Sequence, residues 1–110
     1  MPNLLKEGIK VIGWELAGGF ERKVYTATSL LFSDNPGLLD FLFDRQKPEL
    51  RASPEELLAA ARGLSSGDFL RVRVALDLWS GSGSVSVHEL LDADPDIYRL
   101  VLRAMASLAA

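Results

Sequence analysis

The spacing of apolar and polar residues along this chain is typical of α-helices. In the segment 3–17 a set of apolar residues shares one helical face and polar residues share the other. The apolar face carries Leu5, Ile9, Ile12 and Leu16. The pattern recurs further along the chain, so we predict a mostly α fold, a compact bundle of about six helices of which some are short. The predicted helical segments are 3–17, 20–33, 36–45, 54–64, 66–79, 87–92 and 95–108.

Two segments also allow a strand interpretation. Val11 and Ile12 favour a strand by propensity, and apolar residues alternate from Leu70 to Leu78. The second alternation is broken by apolar residues on the face that should be polar. Those residues are Phe69, Ala75 and Trp79. The alternative is therefore an α+β fold with hairpins at 9–28 and 69–88.

Helix N-termini carry clear local signals. A serine followed three residues later by a glutamate has the spacing of a capping box, and an Asn or Asp before a proline has the spacing of an N-cap. The predicted boxes are Ser53 with Glu56 and Ser86 with Glu89, and the predicted caps are Asn35 and Asp94. Ser65 with Asp68 three residues later is a start similar to a capping box. Within the helix 66–79, Arg73 and Asp77 are spaced to pair at i and i+4.

Composition narrows the class of protein. The chain has 110 residues, enough for one domain over 1–110, and it has no cysteine, which excludes disulfides and thiol chemistry. Its net charge of −3 disfavours a protein that coats nucleic acid. No apolar run approaches the length of a membrane span, and no signal-like segment is evident. We expect a cytoplasmic protein with no membrane contact.

The apolar content of 48% is high for so short a chain, which favours self-association. Helix 36–45 is apolar on almost every side, and the last helix has no charged residue after Arg103. We predict a homo-oligomer, most simply a two-fold dimer, or contact with another protein. The candidate interface residues are Leu38, Leu39, Phe41, Leu42, Phe43, Met105 and Leu108.

From residue 67 to 108 the predicted order is a long helix, a turn, a short capped helix, a tight corner and a long helix. The residues that carry this pattern are the run 85–91, the corner 92–95, the segment 97–102 and Met105. The pattern resembles the three-helix core of helix-turn-helix and winged-helix domains. That resemblance implies DNA binding through the last helix. It implies candidate contacts at Arg71, Arg73, Tyr98, Arg99 and Arg103.

The first turn of that last helix carries Asp94 and Asp96, which repel phosphate. We therefore expect a non-enzymatic protein-interaction domain, and we keep a DNA-binding regulator as the alternative.

Candidate chemistry is sparse. The acids at 92, 94 and 96 match the opening of a calcium loop, but Ile97 and Arg103 stand where a glycine and a glutamate are required. His88 has no predicted orienting partner, and the run 81–84 lacks the lysine of a phosphate-binding loop. We predict no catalytic residue, no cofactor and no metal.

Overall fold

The computed structural model describes residues 19–44, 46–47 and 49–109. These residues form six α-helices in the order predicted for them, so the mostly α fold is confirmed. They are α1 (Gly19–Leu31), α2 (Pro36–Leu42), α3 (Pro54–Ala61), α4 (Ser66–Ser80), α5 (Val87–Leu91) and α6 (Pro95–Leu108). The helix predicted at 3–17 lies outside the described residues.

The alternative with hairpins is wrong for the described part of both segments, since 19–28 and 69–80 are helical. In α1 the β-favouring hydroxyl residues are accommodated because their side chains donate to carbonyl oxygens one turn back. Thr28, which is fully buried, donates to the Val24 oxygen at 2.7 Å. Thr26 donates to the Arg22 oxygen at the surface, and the half-buried Ser29 donates to the Tyr25 oxygen.

The second helix is shorter than the predicted 36–45, because the chain turns back on itself. Phe43 adopts an extended conformation and forms an isolated antiparallel bridge with Leu50. The Asp44 carboxylate holds the turn by accepting the backbone N–H groups of Gln46 and Lys47 at 2.7 and 3.0 Å. A side chain that accepts local backbone donors in this way competes with the helix.

Most of the predicted helix starts are confirmed. The capping boxes at Ser53 and Ser86 are present, and Asp94 accepts the Asp96 backbone N–H. Ser65 accepts the Asp68 backbone N–H at 3.2 Å. The prediction for Asn35 is wrong in one respect: it occupies the N-cap position of α2, but its side chain makes no capping hydrogen bond.

The core lies where α1, α4 and α6 meet, with α2 and α3 closing its sides. α1 packs along α6 and also contacts α4, while α3 packs against α4. On α4 the buried residues follow one another too closely to share one face, so this helix is covered on two sides. The most deeply buried aliphatic and aromatic side chains are Val24, Leu31, Phe32, Leu42, Phe43, Val72, Leu76 and Val101.

Candidate functional site

The apolar residues of α2, predicted to form an interface, lie largely inside the chain's own core. Leu38, Leu42 and Phe43 are buried. Leu39 and Phe41 are partly buried and pack against the core. Phe43 is in edge-to-face contact with the Tyr25 and Trp79 rings at 5.5 and 5.4 Å. The large apolar side chains of α2 and Phe43 are therefore mostly covered by the chain itself, and the large exposed apolar side chains lie on other helices.

The two candidate interface residues of α6 differ from each other. Leu108 packs against the core and is partly buried. Met105, by contrast, is 49% exposed. The buried side of α6 is formed by Val101 and Ala104, with Ile97 and Leu108 at its edges.

Exposed apolar side chains gather on α5 and α6. Val87 and Leu91 of α5 are 72% and 68% exposed, and Leu102 and Met105 of α6 are 48% and 49% exposed. The first two lie one helical turn apart on α5, and the last two lie one turn apart on α6. We refer to these four residues as the α5–α6 patch.

An open groove joins the two halves of the patch. It has a volume of about 210 Å³, and both Val87 and Met105 line it. The other lining residues are Val74, Asp77, Leu78, Val85, Leu90 and Val101. Only Asp77 among the lining residues is charged, so the groove is apolar, and it is shared by Val87 of α5 and Met105 of α6.

Sequence reasoning missed three members of the patch, Val87, Leu91 and Leu102. One signal was present on α6, where a second apolar stripe follows the buried one. That stripe consists of Tyr98, Leu102, Met105 and Ala109, and its spacing of four, three and four residues is helical. The sequence could not show which of the two stripes would face α1.

The position of α5 depends on Arg73 of α4. Its guanidinium donates to both carboxylate oxygens of Glu89, at 2.6 and 3.1 Å, and to the backbone oxygens of Gly83 and Ser84. The hydrogen bonds from Arg73, assisted by that from the Ser86 backbone N–H, lower the pKa of Glu89 from 4.5 to about 2. Glu89 is therefore a carboxylate at neutral pH, and it ties the first turn of α5 to α4.

The connection between α4 and α5 is organised by Asp77. Its carboxylate accepts the backbone N–H groups of Gly83, Ser84 and Val85, at 2.7, 3.0 and 2.8 Å. The predicted pair between Arg73 and Asp77 is wrong, because each side chain has a stronger set of partners in this connection. Three consecutive N–H groups are the kind of site that holds an anion, and here the chain's own carboxylate occupies it.

The residues suggested for nucleic-acid contact are not brought together. Arg71 is 3% exposed and donates to the Leu31 oxygen and to the carboxylates of Asp34 and Asp68. Burial alone would lower the pKa of Arg71, but its hydrogen bonds to these two carboxylates raise it overall. Its Nε–H is buried without a hydrogen-bond partner in the part of the chain described. Arg71 thus fixes the corner between α1 and α2.

Three candidate contacts remain on α6. Arg99 is largely exposed and pairs with Asp96 at 2.8 Å. Arg103 is exposed and Tyr98 is partly exposed. Because Arg71 and Arg73 are engaged inside the fold, only Arg99 and Arg103 among the suggested arginines are exposed, and Arg99 is paired with Asp96.

A second, more polar cavity of about 450 Å³ lies between α4 and the α5–α6 corner. Its charged groups are already engaged or exposed: Arg73 pairs with Glu89, Asp94 caps α6, and Asp92 faces solvent. Among the residues described, no group of three or more His, Asp or Glu side chains could hold a metal ion.

Comparison with protein families, with curated proteins and with solved structures finds no match for this chain. The long helix α4, the short helix α5 and the long helix α6 follow one another in the order predicted from the sequence. Within the described part of the chain, no helix is long and apolar enough to cross a membrane.

Proposed function

We propose that this chain is a small, non-enzymatic helical protein-interaction domain that self-associates, most simply as a dimer. The observation that carries the proposal is the α5–α6 patch, in which four large apolar side chains are about half exposed or more around an apolar groove. Apolar side chains scattered singly on a surface need no explanation, whereas a contiguous patch marks a surface used for binding.

The physical driving force is removal of this patch from water. Burying apolar surface is favourable by about 25 cal/mol per Å², and fully burying one Leu or Met side chain is worth about 1.5–3 kcal/mol. A stable complex buries roughly 800 Å² on each partner. Four large side chains with a groove between them form the apolar centre of such an area, and the surrounding charged residues form its polar rim.

DNA binding, the alternative suggested by the element order, has less support. Specific recognition needs several basic residues on one surface. Arg71 is committed to Asp34 and Asp68, and Arg73 is committed to Glu89. The first turn of α6, which such domains direct toward the bases, carries an exposed Asp96.

The proposal is tested by measuring mass with light scattering after size exclusion at low micromolar concentration. We expect twice the 12.0 kDa of one chain. Met105→Asp should shift the mass toward that of one chain, because it places a charge inside the apolar patch. Phe20→Asp is the matched control, since Phe20 is also exposed but lies on α1.

A mass of one chain for the unmodified protein would overturn self-association. Equal effects of Met105→Asp and Phe20→Asp would show that the association uses another surface. Binding of random duplex DNA that weakens steeply with added salt would favour the alternative function instead.

A further inference from the structure

Helix α5 buries little of its own surface. All five of its residues are exposed or partly exposed. Leu90 packs against the hydrophobic core, whereas Val87 and Leu91 are 72% and 68% exposed. Isolated helices shorter than about 12 residues are not stable in water, so the position of α5 depends on its contacts with the neighbouring helices.

Two side chains of α4, one helical turn apart, provide the polar part of these contacts. Arg73 donates to both carboxylate oxygens of Glu89 and to the backbone oxygen of Gly83, and Asp77 accepts the backbone N–H groups of 83–85. The Arg73 and Glu89 side chains are 19% and 38% exposed. Because water can replace these hydrogen bonds, the net stabilisation from each of them is small.

The apolar groove lies between α5 and the long helices. One side consists of Val85, Val87 and Leu90 from α5 and its connection, and the other consists of Val74, Leu78, Val101 and Met105 from α4 and α6. The helices α4 and α6 pack against each other and against α1. The second side of the groove is therefore held in place by core contacts that do not involve α5.

Non-helical residues connect α5 to both long helices. Gly81 ends α4 with a φ of 70°, and the residues 92–94 form the corner that precedes Pro95 of α6. A few residues at the ends of helices are enough to absorb the rotation of a hinged segment. The segment between these two points can therefore move without disturbing α4 or α6.

We propose that residues 82–93 form a lid over the groove, which opens as one unit while α1, α4 and α6 stay packed, and that the Arg73–Glu89 pair determines how often it opens. Cooperative local opening of this kind requires less free energy than global unfolding. Opening uncovers Val74 and Val101, which are 5% and 0% exposed in the closed form. The inference goes beyond the proposed function, because the lid changes how much apolar surface α4 and α6 expose.

The opening is measured with a single introduced thiol, because the chain has no cysteine of its own. Val74 and Val72 are both buried valines of α4, but Val74 lines the groove and Val72 is fully buried in the core. Val74→Cys should be alkylated by iodoacetamide about a hundredfold faster than Val72→Cys, because lid opening is enough to expose it. The rate of Val74→Cys should depend weakly on urea, since opening exposes little surface, whereas that of Val72→Cys should rise steeply.

The role of the ion pair is tested in the Val74→Cys background. Glu89→Gln removes the charge that Arg73 binds, so alkylation should become about tenfold faster. Gly83→Ala should also accelerate it without a change of charge, because the added Cβ would lie 1.8 Å from the Arg73 backbone oxygen in the closed form. Asp96→Asn is the matched control, since it is an acid-to-amide change in an ion pair of α6, and it should leave the rate unchanged.

Leu42→Ala is the control in the opposite direction. Leu42 is buried in the core that the open and closed forms share, so its loss should accelerate alkylation of Val72→Cys and leave that of Val74→Cys unchanged. Native-state hydrogen exchange checks the unmodified chain. The Leu90 and Asp92 amides, which donate to backbone oxygens within α5, should exchange with the weak urea dependence of lid opening.

Two results would overturn the inference. Equal alkylation rates and equal urea dependence for Val74→Cys and Val72→Cys would show that the groove opens only by global unfolding. A fast rate for Val74→Cys that neither Glu89→Gln nor Gly83→Ala changes would show that the reagent enters the closed groove and that there is no lid. All rates are measured at a protein concentration too low for the proposed dimer, so the result is independent of self-association.

Discussion

Helix α2 and the α5–α6 patch have similar numbers of large apolar residues but opposite exposure. In α2 and its continuation, Leu42 and Phe43 are 0% and 2% exposed. In the patch, Val87 and Leu91 are 72% and 68% exposed. The apolar content of a helix shows that part of its surface is favourably buried, whereas the neighbouring elements of the fold determine whether the chain itself buries that surface.

The neighbours of the two regions explain the difference. α2 is followed by a turn that pairs Leu50 with Phe43. The Tyr25 and Trp79 rings pack against the Phe43 ring. α5 is held to α4 on one side only, through Glu89 and the connection at 81–86. In the described part of the chain, no element covers the outer side of α5.

The largest expected effect is a difference in the free energy of unfolding when a leucine is replaced by alanine in each of the two regions. Leu42→Ala should lower the free energy of unfolding by about 2–5 kcal/mol, because it leaves a cavity in the core. Leu91→Ala is the same chemical change at an exposed site, and it should cost less than about 0.5 kcal/mol in the monomer. Urea unfolding at a protein concentration too low for the proposed dimer measures the free energy of unfolding of both variants. Similar losses for the two variants would contradict the contrast in burial.

The next effect tests how α5 is attached. A Cβ added to Gly83 would lie 1.8 Å from the Arg73 backbone oxygen, so the 81–86 connection would have to move away from α4. Gly83→Ala should cost about 1–3 kcal/mol, as overpacking does, and it should weaken the proposed dimer because α5 shifts. Gly63→Ala is the control, since a Cβ there meets nothing within 4 Å. Thermal unfolding of both variants measures the difference in stability. If Gly83→Ala is as stable as the unmodified protein, the connection is not in close contact with α4.

The smallest effect depends on pH. The folded-state pKa of Glu89, about 2, is below its ordinary 4.5 because of Arg73. The contribution of Glu89 to stability is therefore complete above pH 4.5 and is lost as the pH falls toward 2. The urea midpoint of the unmodified protein should exceed that of Glu89→Gln at pH 7, and the gap should close over this window. A gap that stays constant with pH would show that the carboxylate charge has no part in holding α5.

The sequence by itself determined the helices and most of their starts. Capping boxes at Ser53 and Ser86 and the cap at Asp94 are local devices, so their spacing along the chain contains the information. The helical period also outweighed the β-favouring residues of α1, because hydroxyl side chains can bond within a helix.

Only the tertiary structure decided which partners the side chains take and which apolar stripe is covered. Arg73 lies four residues from Asp77, yet it binds Glu89, while Asp77 binds the backbone at 83–85. Both sets of hydrogen bonds depend on the path of the chain after Gly81, which ends α4 in a left-handed conformation with a φ of 70°. The two apolar stripes of α6 are alike in sequence, and packing against α1 buried one and left Leu102 and Met105 exposed. Contacts between segments far apart in sequence are fixed by the direction and position of whole helices, and local spacing contains no such information.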